Sequence, residues 1–195
     1  SIANANINDL FVDNSDNIWV GTQLGLNHLI NTSQNFNSLT KGRKELKGDN
    51  IRSVLVDNNH VYVGSEEGVT RKFKIVGGDE EITFEEVMQF GPTGKVWATP
   101  IVVEDVLIVV SLDNKIYGYD LNSGEEKWSP FVTGGAIASS PLKVGDTVFF
   151  GSFDHIFQAF VAAFHNRVTG EWNGFHTFLF GPITVICQIF HNTIE

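Results

Sequence analysis

One cysteine, one methionine, five prolines and only 13 lysines and arginines occur among 195 residues. Each scarcity excludes something. A lone cysteine forms neither an intramolecular disulfide nor a thiolate metal cluster. Cys187, inside the apolar run ITVICQIF, reads as a small core residue. Low cysteine suits cytosol and periplasm alike, so it does not choose a compartment. The shortage of bases leaves a formal net charge of −10, which argues against electrostatic binding of nucleic acid. The nearest approach to a polybasic membrane patch, KGRKELK at 41–47, reads as a solvated hairpin loop. Long apolar runs are missing too. VLIVVSL is too short, and FLFGPITVICQIF too broken by Gly-Pro, to cross about 30 Å of hydrocarbon. No signal peptide is read at the N-terminus, although a mature chain would have lost one. Helix is scarce: only GRKELKG and FVAAFHNRV hint at it, and both are short.

What is present suits β-structure. Sixteen phenylalanines supply aromatics for pleated faces, and 19 glycines supply turns. The strongest signal is an internal repeat. WVGT, YVGS, IVVS and FFGS end on Thr22, Ser65, Ser111 and Ser152, at spacings of 43, 46 and 41 residues. Before each mark stands a short apolar strand and an acidic turn; after it comes a tight turn and a third strand. A fourth strand follows in most units, clearest in EITFEEVMQF and EEKWSPFV. A four-stranded antiparallel meander repeated at this period is the unit of a β-propeller blade. The expected fold is therefore all-β: one domain at 1–195, with blades near 6–49, 50–90, 91–134 and 135–178 and a partial fifth at 179–195. Alternation in NIWVGT puts Ile18 and Val20 on one face and Trp19 on the other. Glycines 21, 64 and 151 would let neighbouring backbones approach or turn.

The first two units, INDLFVDNSDNIWVGTQLGL and IRSVLVDNNHVYVGSEEGV, resemble the two-component regulator propeller repeat over residues 7–90. ATPIVVEDVLIVVSLDNKIYGYDLNSGEEKW and ASSPLKVGDTVFFGSFDHIFQAF resemble the PQQ-like repeat of quinoproteins and of the outer-membrane assembly lipoprotein, over residues 96–160. The fourth unit departs from that pattern, with Val161 where the third has Asp120 leading into LNSGEEKW. The resemblance implies a periplasmic or extracellular compartment. A quinoprotein dehydrogenase would need a full ring of blades, an acidic base beside Ca²⁺ and residues stacking the cofactor. This chain has about half the usual blades, and its tryptophans (19, 97, 128 and 172) recur at repeat positions, which reads as core packing. No cofactor is expected.

Other site signals read as architecture. DNSDN at 13–17 has oxygen ligands but neither the Gly nor the closing Glu of an EF-hand loop, so it reads as a turn. The six histidines show no HExxH, and no GxSxG or GxxxxGK[ST] occurs. VGGDEE and TGGA read as Gly-Gly turns. The remaining candidate is the mouth of the central channel. Aligning Val12, Val56, Val103 and Val144 places Asn8, Arg52, Thr99 and Ser140 in equivalent rim positions, four residues earlier. No catalytic residue and no metal site is expected. The reading is a non-catalytic binding or sensory module that takes a protein partner or small ligand on one propeller face. A quinoprotein-like or carbohydrate-active enzyme and a plain scaffold are the rival readings. The tail is expected to close a monomer, with dimerisation through an open blade edge as the alternative.

Overall fold

The computed structural model describes residues 6–30, 36–38, 50–77, 82–91, 94–144, 147–154, 157–161 and 176–180. They form sixteen strands and, among the described residues, no helix. Every sheet is a four-stranded antiparallel meander in chain order. The first holds β1 (Ile7–Val12), β2 (Ile18–Thr22), β3 (Gly25–Leu29) and β4 (Phe36–Ser38). The second holds β5 (Ile51–Asp57), β6 (His60–Ser65), β7 (Thr70–Gly77) and β8 (Ile82–Phe90). The third holds β9 (Ile101–Val103), β10 (Val106–Val110), β11 (Lys115–Asp120) and β12 (Phe131–Val132). The fourth holds β13 (Leu142–Val144), β14 (Thr147–Gly151), β15 (Phe157–Val161) and β16 (His176–Phe180). Leu179 and Phe180, the first residues of the expected fifth unit, lie instead inside β16 of the fourth sheet, paired with Gln158 and Phe157. The rest of the expected fifth unit, and with it Cys187 and the expected closure by the tail, lies outside the described residues, as does Trp172.

Consecutive sheets pack face to face, which is why the second strands are apolar on both sides. In β6, Val61 and Val63 face Trp19 and Leu26 of the first sheet, while Tyr62 faces Leu107 and Tyr117 of the third. In β10, Leu107 and Val109 join that second interface, whereas Ile108 and Val110 pack with Val148 and Phe150 of the fourth sheet. Period two with apolar residues in both phases is what a strand buried on both faces requires.

In the first three units the hydroxyl at the end of the second strand holds the following turn. Thr22 Oγ1 donates to the Gly25 carbonyl at 2.8 Å and accepts from the Leu24 N–H. Ser65 Oγ donates to the Val69 carbonyl, and Ser111 Oγ accepts from the Asp113 N–H. Asp16, Asn58 and Glu104 take positive φ in the turns between first and second strands. Asp and Asn tolerate that conformation; Glu adopts it at a cost.

The glycines act differently from expectation. A Cβ on Gly21 would lie 2.9 Å from Ile51 Cγ2, and one on Gly64 2.8 Å from Val96 Cγ1. Side chains rather than backbone occupy the space: those of the next unit at Gly21, and at Gly64 both Val96 and, nearest of all, Ser53 Oγ of the same sheet. Gly151 has ordinary van der Waals room, its nearest neighbour being Ser139 Oγ at 3.8 Å.

Candidate functional site at one axial rim

First strands begin, and second strands end, at one end of the sheets. Here β1 and β5 share an irregularity: their registers shift between Ile7 and Asp9 and between Ile51 and Ser53. Asn8 and Arg52 are the extra residues of two equivalent β-bulges, which turn their side chains out of strand alternation. The Asn6 carbonyl accepts from Gln23 N and the Asn50 carbonyl from Glu66 N, both at 3.2 Å, so the two bulges are closed alike.

The four residues aligned by sequence divide into two groups. Thr99 and Ser140 meet: the Thr99 N–H donates to Ser140 Oγ at 3.0 Å. Asn8 and Arg52 are drawn elsewhere by their bulges. Asn8 Nδ2 donates to the Ile51 carbonyl at 2.6 Å and to Asn50 Oδ1 at 3.0 Å. Arg52 pairs with Glu66. Sequence alignment missed Asp9. Its Oδ2 accepts from the Val54 N–H at 2.7 Å and from Thr99 Oγ1 at 2.9 Å, joining the first sheet to the second and third units. One hydrogen-bonded chain thus runs from Val54 through Asp9 and Thr99 to Ser140.

Beside this chain lies a charged and aromatic cluster. The connecting segment 95–99 sits between the second and third sheets, the Val96 N–H bonding the Ser65 carbonyl and the Lys95 carbonyl accepting from Leu112. Val96 and Ala98 are buried, so Lys95, Trp97 and Thr99 share the opposite side. Glu66 bridges two cations: its Oε2 accepts from Arg52 Nε, and its Oε1 from Lys95 Nζ at 2.7 Å. The Lys95 hydrogen bond, then that of Arg52, hold the Glu66 carboxyl below its ordinary pKa despite desolvation. The Arg52 guanidinium stands 5.1 Å from the Trp97 ring centroid, a cation–π contact. Trp97 is 41% exposed. That corrects the core reading of this residue. The available signals were the Glu66–Glu67 pair after YVGS and the placement of Trp97 ahead of a strand rather than within one.

Trp19 and Trp128 do pack inside. Trp19 is fully buried and its indole N–H donates to Asp13 Oδ2 at 2.8 Å. The same carboxylate accepts from the Ser15 and Asn17 N–H groups, so DNSDN forms the expected turn. These bonds outweigh desolvation and lower the Asp13 pKa. Trp128 lies over Gly118, where an added Cβ would be 1.7 Å from its Cζ2. TGGA is a turn against the fourth sheet, the Gly134 N–H donating to Asp154 Oδ2 at 2.9 Å. Among the described residues no group of three or more His, Cys, Asp or Glu is arranged to hold a metal.

The family model described as outer membrane protein assembly factor BamB matches residues 43–163, more than half of the chain. The chain belongs to that family. The two-component regulator propeller model matches residues 1–23, which covers β1 and β2. No curated protein matches the chain. Among solved structures, BamB from Moraxella catarrhalis superposes with a TM-score of 0.63 at 18% identity, over 89% of this chain and 49% of that one. The WD40 β-propeller domain of Doa1 gives 0.65 at 14% identity, over 80% of this chain and 51% of its own. The computationally designed Ika8 protein gives 0.64 at 14% identity, over 87% and 48%. These likenesses show the propeller fold. The chain spans about half the length of each of the three. Arg52, Glu66, Lys95, Trp97, Thr99 and Ser140 all fall within the stretch matched by the BamB family model; Asn8 and Asp9 fall within the regulator repeat.

Proposed function

We propose that the chain is a non-catalytic binding module whose four sheets are four propeller blades, and that it docks a protein partner on the axial rim carrying Arg52, Glu66, Lys95 and Trp97. Asn8, Thr99 and Ser140 form the inner part of this surface. One observation carries the reading: Trp97 is 41% exposed, yet it is held in place by the Arg52 guanidinium. A large aromatic that is both accessible and positioned is the residue type that anchors protein interfaces, and arginine is its frequent companion there. The rest of the rim is built for rigidity, since Asp9 ties three units together. Family membership supports one kind of partner. We take it to be a component of outer-membrane protein assembly, met in the periplasm.

The test is co-purification from a Gram-negative host in which the tagged chain is exported to the periplasm. Wild-type protein should retain identified components of outer-membrane assembly. Trp97→Ala and Arg52→Ala should release them with unchanged thermal unfolding. Full retention by both variants, or no retention by the wild type, would overturn the proposal.

A further inference from the structure

We propose that Glu66 is a built-in stand-in for a carboxylate of the docked partner, so that this rim takes an acidic segment with an apolar neighbour. The inference rests on the docking reading above and specifies its chemistry. Two cations, Arg52 and Lys95, share the single carboxylate of Glu66. The cluster is therefore one positive charge in surplus, on a chain whose formal net charge is −10. Glu67 is matched by Arg71 at 3.5 Å. Asp9 keeps its own negative charge, aimed at the Val54 N–H and the Thr99 hydroxyl, and forms no ion pair with Arg52 or Lys95, whose shared carboxylate is that of Glu66.

The arrangement is also open to exchange. Lys95 is 54% exposed and Glu66 24%, and ion pairs at the water boundary contribute little net free energy. An incoming carboxylate that takes the Arg52 Nε–H and one terminal N–H in a fork gains geometry that the single Nε bond from Arg52 to Glu66 lacks. Glu66 then keeps Lys95 alone. Trp97 offers apolar surface directly beside the exchanged charge. A partner that presents a carboxylate next to an aromatic or aliphatic side chain fits both features at once.

The probe is a dye-labelled, end-capped hexapeptide alternating glutamate with tyrosine, compared with its glutamine counterpart by fluorescence anisotropy on the whole chain. The acidic peptide should bind about tenfold tighter than the neutral one, the worth of one charge-assisted hydrogen bond. Its binding should weaken between about 0.05 M and about 0.3 M salt. Glu66→Gln is the deciding variant. Removal of the competing carboxylate should tighten the acidic peptide several-fold, whereas a merely structural Glu66 would leave affinity equal or lower. Arg52→Ala should abolish the preference for glutamate. Equal or weaker binding to Glu66→Gln overturns the stand-in role. If both peptides bind equally and Trp97→Ala releases both, the docking face stands and its acidic specificity is wrong. If neither binds, this inference falls, and the co-purification experiment still judges the docking reading.

Discussion

Thr99 of the third unit donates its hydroxyl hydrogen to Asp9 of the first, Oγ1 to Oδ2 at 2.9 Å, across ninety positions of sequence. The same carboxylate oxygen holds the Val54 N–H of the second sheet. Asp9 is thus a fastener between units. Asp9→Ala strands both donors and should cost about 1–3 kcal/mol, more than Thr99→Val, which removes one donor and leaves the Val54 bond intact. Chemical denaturation midpoints decide it; an Asp9→Ala midpoint equal to wild type would reduce Asp9 to a bystander.

The tryptophans should separate cleanly. Trp19 is 1% exposed, packs against His28 with ring centroids 4.1 Å apart and planes tilted by 34°, and bonds Asp13. Its replacement by alanine should cost about 3–5 kcal/mol. Trp97→Ala should stay within about 0.5 kcal/mol of wild type, as expected of a surface residue outside the core. Comparable losses for the two would return Trp97 to the core.

Gly118→Ala places a methyl group into the Trp128 ring. Overpacking of this kind costs about 1–3 kcal/mol. Trp128→Ala should also destabilise, because it packs against the core shared by the third and fourth sheets. The double variant should lose less than the sum of the two, since each change relieves what the other disturbs. Strict additivity would show that the contact carries no energy.

His28 supplies a pH dependence. It is fully buried, and neither ring nitrogen has a hydrogen-bond partner among the described residues. Burial pushes its pKa below 6.5, against a smaller opposing pull from Asp13. The unfolded chain therefore binds the proton first as pH falls, and stability rises with pH between the depressed folded value and the ordinary one. Denaturation midpoints should drop as acid is added through pH 6.5 and below. His28→Leu should flatten that part of the profile, and an unchanged slope would assign it to other groups.

Much of this fold is written locally, and that part was legible. Hydroxyl phase marks, turn residues and two-sided apolar alternation each depend on a few neighbouring residues. So Thr22, Ser65 and Ser111 could be aligned without coordinates. The hydrogen-bonded cluster was half legible. Thr99 and Ser140, paired by alignment four residues ahead of Val103 and Val144, touch. Asn8 and Arg52 stand at equivalent places as well, but a bulge is a property of two paired strands, and no single strand announces it. That shift by one residue is why Asp9, and not Asn8, reaches Thr99. Trp97 was misread because repeat position was taken for burial, although it lies on the connecting segment before β9.

The glycines of the second strands have a geometric consequence. Ile51 nests over Gly21, and Val96 over Gly64, at distances that admit no extra carbon. Successive sheets can therefore converge closely at these points while aromatic residues such as Trp19 and Phe84 hold other parts of the same interface apart. A methyl group at position 21 would meet Ile51 Cγ2 and Val54 Cγ2 together and pry the first two sheets apart. The spacing of those sheets is thus governed in part by a side chain that is absent.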